Sequence, residues 1–244
     1  MKTPTPKKAK RSPVSKLKGE GLATYEELQA RLNDLPNPHK VAGQLRLLDV
    51  GIADFAVRIP EVVVHLLDEA EPISVADATA RAGAAGKTWQ DTKATLDLQV
   101  RLVRARAHWE RGDTTAAAAE LTQITASPSS RRAELILDAA ARTDSQGQLR
   151  PAWSPTFSLA LLRSAAGAFA NSLPAALSLV DAMTGAGEQA AAAMVLGQVI
   201  AGWELWPTLE RASLAERIER LPADQRPPLE TQLAQAEARK RTPG

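Results

Sequence analysis

Apolar residues recur at helical spacing along most of the chain, and strand-like alternation is hard to find. The clearest stretch runs from Thr88 to Ala126. Leu98, Leu102, Ala105 and Trp109 step by four, three and four, which sets them on one helix face. Leu96, Val100, Val103 and Ala107 widen that face, and Asp97, Arg101, Arg104, His108 and Arg111 run opposite it. Thr88 with Asp91 predicts a capped start, and Gly112 supplies the permissive backbone that ends the helix. Ala117, Leu121 and Ile124 then mark one side of an alanine-rich second helix. An antiparallel helical hairpin is expected.

The same reading extends in both directions. Thr24 with Glu27 predicts the cap of a short helix, and Asn37-Pro38 predicts another start, with proline at the first helical position. Val41, Leu45, Leu48, Ile52, Phe55 and Ile59 step by four and three, which predicts one long amphipathic helix ended or kinked at Pro60. Val62, Val63, Val64, Leu66 and Leu67 continue to Pro72, and Ser74 with Asp77 caps a further short helix before a Gly83–Gly86 loop. After the hairpin, a helix is expected over 130–142 with Leu135, Ile136 and Ala139 inward, then a polar loop to Trp153 and a restart at Ser154-Pro155. The stretch 188–203 is apolar nearly all round, which predicts the most buried helix of the molecule. An amphipathic helix over 208–221 and a polar last helix from about Pro228 follow.

The turn in Trp109-Glu110-Arg111-Gly112-Asp113, with the alanine-rich run after it, resembles the tetratricopeptide repeat family. Hairpins of that family turn at Gly-Asp and carry a small residue early in the second helix; Gly112, Asp113, Ala117 and Leu121 match. The first helix departs from the family pattern, because Arg101, Arg104 and His108 fall where the family places apolar residues. A similar outline recurs over 161–183, and Leu196-Gly197 falls 33 residues after Arg163-Ser164, near the family period of about 34. The step from the first hairpin to the second is 59 residues, so the repeats are interrupted. The resemblance implies an all-α fold of stacked antiparallel hairpins, as a solenoid or an irregular helical array, closed by a polar capping helix. It further implies a groove that holds a segment of a partner protein.

Charge changes the picture at one end. Lys2, Lys7, Lys8, Lys10, Arg11, Lys16 and Lys18 stand in the first 19 residues without an acid, although the net charge is only +2. Pro4, Pro6 and Pro13 oppose helix there. Three segments result: a disordered basic tail over 1–22, an N-terminal helical segment over 23–86 and the hairpin array over 88–241. The absence of cysteine excludes a disulfide scaffold and zinc-thiolate sites, and fits the cytoplasm. The apolar run 190–202 is too short for a membrane span and is interrupted by Gln198, and no apolar segment follows the basic start as a secretory signal requires.

Little of the chain reads as chemistry. Gly86-Lys87-Thr88 has the ending of a phosphate-binding loop, but Arg81 stands where that loop needs glycine, and no strand precedes it. A helix-ending glycine followed by a threonine cap is the reading it supports. His39, His65 and His108 share no ligand spacing, so no metal site is expected. Asp68, Glu69 and Glu71 read as a solvated helix end, and Asp54 as the partner of Arg58 four residues on. No nucleophile elbow occurs. Neither an enzymatic activity nor a cofactor is expected.

Two readings remain. In the first, the protein is a non-enzymatic scaffold for a partner protein. Trp203 and Trp206 are then candidate anchors, since aromatics bring large contact area at small entropic cost; the alternative is that both are core. In the second, the seven basic residues of the tail contact nucleic-acid phosphates, and Arg101, Arg104 and Arg111 extend that surface. The alternatives are a solubilising tail and a salt-bridged helix face.

Overall fold

The computed structural model describes residues 12–36, 43–144, 146–150, 153–169, 172–205 and 209–241. Among them the chain is all-helical, without a strand, and carries one isolated antiparallel bridge, Thr143 to Leu149, in the expected polar loop. It divides between Ser129 and Ser130 into two compact units, not at 86–88. The first holds α1 Glu20–Asp34, α2 Gln44–Asp49, α3 Pro60–Glu69, α4 Val75–Ala85, α5 Trp89–Glu110 and α6 Thr114–Thr125. The second holds α7 Arg132–Ala140, α8 Pro155–Ser164, α9 Leu173–Gly185, α10 Gln189–Ala201, α11 Arg211–Glu219 and α12 Arg226–Arg241.

The boundary lies after α6 because α5 shares its core with the helices before it. Val100, Val103 and Ala107 on α5 close over Leu28, Leu47, Phe55, Val63 and Leu67, all buried. Cutting the chain at 86–88 would strip that core. The expected long helix through Val41–Ile59 is broken: α2 stops at Asp49, Gly51 takes a left-handed φ of +73°, and a 3₁₀ turn, Ile52–Phe55, follows. Its apolar positions still point inward, because the break re-aims them instead of exposing them. Asn37-Pro38 and Val41 lie outside the described residues. The α1 helix starts before Thr24, whose hydroxyl donates to the Glu20 carbonyl at 2.9 Å rather than capping the helix.

Phe55 is sealed by charge. The Arg31 and Arg58 guanidinium carbons lie 5.0 and 5.9 Å from its ring centre, within cation–π reach. Glu27 accepts from both arginines, at 2.7 and 2.9 Å, so Arg58 pairs with Glu27 and not with Asp54. Asp54 approaches Arg31 at 3.6 Å. Within the stretch expected as a tail, Pro13–Lys16 forms a 3₁₀ turn whose Val14, with Leu17 after it, packs against the same core.

In the second unit α9 and α10 form the central hairpin, with α8 beside α9 and α12 beside α10. Asp181 on α9 holds α11 through Arg217 at 2.8 Å and Arg220 at 2.7 Å. The α12 helix buries Leu229, Leu233 and Ala236, and Leu229 reaches the bare backbone of Gly197 on α10. Contrary to expectation, α10 is not the most buried helix. It buries four of its thirteen residues, whereas α8 buries five of ten. Being apolar all round does not enclose α10: Ala190, Met194, Gln198 and Ala201 along one side of it are exposed.

The two units contain the same hairpin, 75 residues apart. Gly112 takes φ +79° and Gly187 φ +84°, a region that costs an L-residue about 1–2 kcal/mol. The following residue reaches back in both cases, Asp113 to the His108 carbonyl at 2.9 Å and Glu188 to the Met183 carbonyl at 2.8 Å. Ala107 and Ala182, and then Ala117 and Ala192, are fully buried where the helices meet. Leu121 corresponds to Leu196, Ile124 to Val199 and His108 to Met183.

Leu196 is fully buried, so Leu196→Asp places a lone carboxylate in the second core. That costs several kcal/mol, a large part of a typical total of about 5–15 kcal/mol. Chemical denaturation is expected to show loss of the second unit's transition.

Candidate interaction surface

The face of α5 that carries Arg101, Arg104, His108 and Arg111 is a salt-bridged surface. Arg101 donates to Glu120 of α6 at 3.0 Å. Arg104, 19% exposed at its side chain, lies 3.5 Å from the other oxygen of Glu120 and 3.3 Å from Asp68. It also donates to the Leu67 carbonyl at 3.3 Å, which satisfies the C-terminal end of α3. Arg111 donates to Asp113 at 2.7 Å, and Asp113 in turn caps α6 by accepting from the Ala116 N–H at 3.1 Å. The three arginines thus link α3, α5 and α6. Phosphate contact through them would require breaking these pairs.

His108 is buried within this face. Its Nδ1 lies 3.7 Å from the Asp113 carboxylate, beyond hydrogen-bond reach. Burial pushes its pKa below the ordinary value, and the Arg111 charge pushes the same way, against Asp113, Glu120 and Asp68. The hydrogen bond from Arg111, then that from Ala116, holds Asp113 below the usual carboxylate range.

The corresponding face of the second hairpin is built differently. Ala176, Leu179 and Val195 stand where Arg101, Arg104 and Glu120 stand in the first. They line an open groove of about 320 Å³ with Leu162, Phe169 and Gln198, and no lining residue is charged. The α10 helix carries no charged residue along its length, and Met194, one turn before Gln198, is 70% exposed. Leu205 beyond it is 76% exposed. An ion pair, Arg163 with Glu188, ties the end of α8 to the α9–α10 turn.

The remaining candidates fall elsewhere. Trp203 is core: it is 5% exposed, and its indole N–H donates to the Leu209 carbonyl at 2.8 Å. Trp206 lies outside the described residues, as do Lys2, Lys7, Lys8, Lys10, Arg11 and His39. Lys16 and Lys18 are exposed. Gly86 ends α4 at φ +64°, the Lys87 N–H returns to the Ala82 carbonyl at 3.0 Å, and Thr88 caps α5, so these groups serve helix ends. His65 lies 3.4 Å from Glu69. Among the described residues no group of three or more histidine and carboxylate side chains could hold a metal ion, and no helix is long and apolar enough to cross a membrane.

His108 has a measurable consequence. Its folded pKa lies below its unfolded value near 6.5, so the unfolded chain takes up the proton first. Stability is complete above about pH 6.5 and falls as pH drops toward the lower folded value. Asp113, Glu27 and Glu216, held low mainly by hydrogen bonds from Arg111, Arg58 and Arg220, lose their contributions only in the acid range below about 4.5. His108→Met, which copies Met183, is expected to flatten the fall in stability that begins below about pH 6.5 and to leave the acid limb. Urea midpoints measured across pH test this.

No protein-family model matches the chain, nor does any curated protein or solved structure. What the chain does must be argued from its own side chains.

Proposed function

We propose that the protein is a non-enzymatic helical scaffold, built on tetratricopeptide-like hairpins, whose second unit binds a partner protein. One observation carries the reading: an uncharged groove beside an uncharged, half-open helix, α10, with Met194 standing out of it. A contiguous apolar surface, unlike a single exposed apolar side chain, marks interaction sites, and the groove supplies the contiguous part. The shared turns of the two hairpins and the buried alanines at their crossings support the family likeness. The cysteine-free composition supports a cytoplasmic setting.

The test uses two substitutions that copy the first hairpin. Ala176→Arg with Val195→Glu sets an ion pair where Arg101 and Glu120 already form one, so the variant brings its own partner for each charge. A partner captured by the full chain, identified and re-bound in purified form, is expected to lose at least about tenfold in affinity, or 1.4 kcal/mol, to this variant. Equal binding by both proteins overturns the reading.

A second reading rests on the basic residues that precede the core. Val14 and Leu17 are packed, so this reading is confined to the segment up to Arg11. That segment carries Lys2, Lys7, Lys8, Lys10 and Arg11. Five phosphate contacts on duplex DNA give a slope of log affinity against log salt of about −4.5, near 0.9 per contact. Removing residues 1–11 is expected to flatten that slope and leave the thermal midpoint unchanged, whereas removal of 1–19 lowers the midpoint as well. An intact chain that does not bind DNA at low salt ends this reading.

A further inference from the structure

We propose that His108 is an acid-triggered catch on the first hairpin: a proton on its imidazole draws the Asp113 carboxylate off the start of α6, and the first turn of α6 opens while the core behind it stays folded.

The parts stand within six residues of chain. Asp113 is held three times. Its Oδ1 accepts from the Ala116 N–H at 3.1 Å, its Oδ2 accepts from Arg111 at 2.7 Å, and its own N–H donates to the His108 carbonyl at 2.9 Å. The His108 side chain is buried, and its Nδ1 has no hydrogen-bond partner, although the same Oδ2 lies only 3.7 Å away. A neutral imidazole tolerates that gap. A protonated one carries a donor on both nitrogens, and a buried donor left unpaired costs free energy. A charge-assisted bond forms at about 2.8 Å, so the carboxylate has to come closer by roughly 0.9 Å.

No acid stands spare to meet the proton. Among the described residues, the charges that act on His108 are Arg111 at the end of α5, Asp113 in the turn, Glu120 on α6 and Asp68 on α3. Arg104 holds Asp68 and Glu120, Arg101 also holds Glu120, and Arg111 holds Asp113. Three arginines thus balance three carboxylates, and a proton on His108 adds a fourth cation to the set. Asp113 is the acid that can answer it. Asp68 and Glu120 are fastened across helices by Arg104, whereas Asp113 sits in the turn and is held by one half-exposed arginine and one helix-end N–H.

The direction follows from linkage. Opened, His108 meets water and titrates near its ordinary value of about 6.5; closed, burial holds it lower. The open form therefore binds the proton more tightly. Opening grows as pH falls below about 6.5, by at most about tenfold per pH unit for one proton, and levels off below the closed value. The second hairpin is a built-in control. It makes the same backbone turn, from the Glu188 N–H to the Met183 carbonyl, but Met183 stands in place of His108, and the Glu188 side chain does not cap α10.

Hydrogen–deuterium exchange of the full chain, read by mass spectrometry at about pH 7 and about pH 5.5 and normalised to unstructured peptide, follows the opening directly. Peptides over 113–120 are expected to lose protection several-fold at the lower pH, while peptides over 60–69 and 188–196 keep theirs. His108→Met and His108→Gln are each expected to abolish the loss. Asp113→Asn, whose side-chain oxygen still caps α6, is expected to reduce it. Equal loss over 60–69 and 188–196 overturns the proposal, because acid then loosens the whole fold. Loss that persists in both His108 variants overturns the trigger. A loss in Asp113→Asn as large as in the parent overturns the transfer of Asp113, since relief of burial alone then drives the opening.

Discussion

Everything in the two hairpins depends on how closely their helices approach at the turn. A left-handed glycine stops the first helix, and the next residue's N–H returns to the carbonyl five positions back, so the chain reverses within two residues. Alanines five residues to either side of the glycine, Ala107 and Ala117 in the first unit and Ala182 and Ala192 in the second, have no exposed surface, and Ala107 lies in the core that α5 shares with the helices before it. Leu121 and Leu196 are the next buried positions of the second helices. A bulkier side chain at the alanines would overpack these sites.

The crossing leaves the outward face of each hairpin free to vary, and the two units vary it in opposite ways. In the first, arginines on α5 join α3 to α6, each held by one or more carboxylates. Such pairs gain little at a fully exposed surface, but Arg104 and Glu120 are mostly covered, so screening by solvent is reduced. In the second, the same positions hold Ala176, Leu179 and Val195, which line an uncharged groove together with Leu162 of α8. The first face is joined by charge, and the second is apolar.

Much of this was legible in the residues. Thr88, Gly112 and the Leu98–Trp109 stripe announced the first hairpin, and Ser74 with Asp77 announced a capping box that is present. What periodicity could not resolve was where a stripe belongs to one helix and where to two. Leu45–Ile59 kept its inward spacing across Gly51, since a glycine in the left-handed region turns the chain without disturbing which residues are apolar. The groove was hidden by a related ambiguity. An uncharged helix such as 189–201 reads as buried, yet burial depends on how many neighbours surround it, and no local pattern counts neighbours. The arginine stripe was equally visible, but its partners Asp68 and Glu120 lie far off in sequence. The correspondence of Gly112 with Gly187 was available from Met183-Thr184-Gly185-Ala186-Gly187-Glu188 and was masked by the second, earlier glycine.

The packing of Val14 and Leu17 carries a further consequence. It ties the turn Pro13–Lys16 to α3 and the first core, so a substitution at Val14 or Leu17 acts on packing even though both stand in a lysine-rich stretch whose composition speaks only of charge.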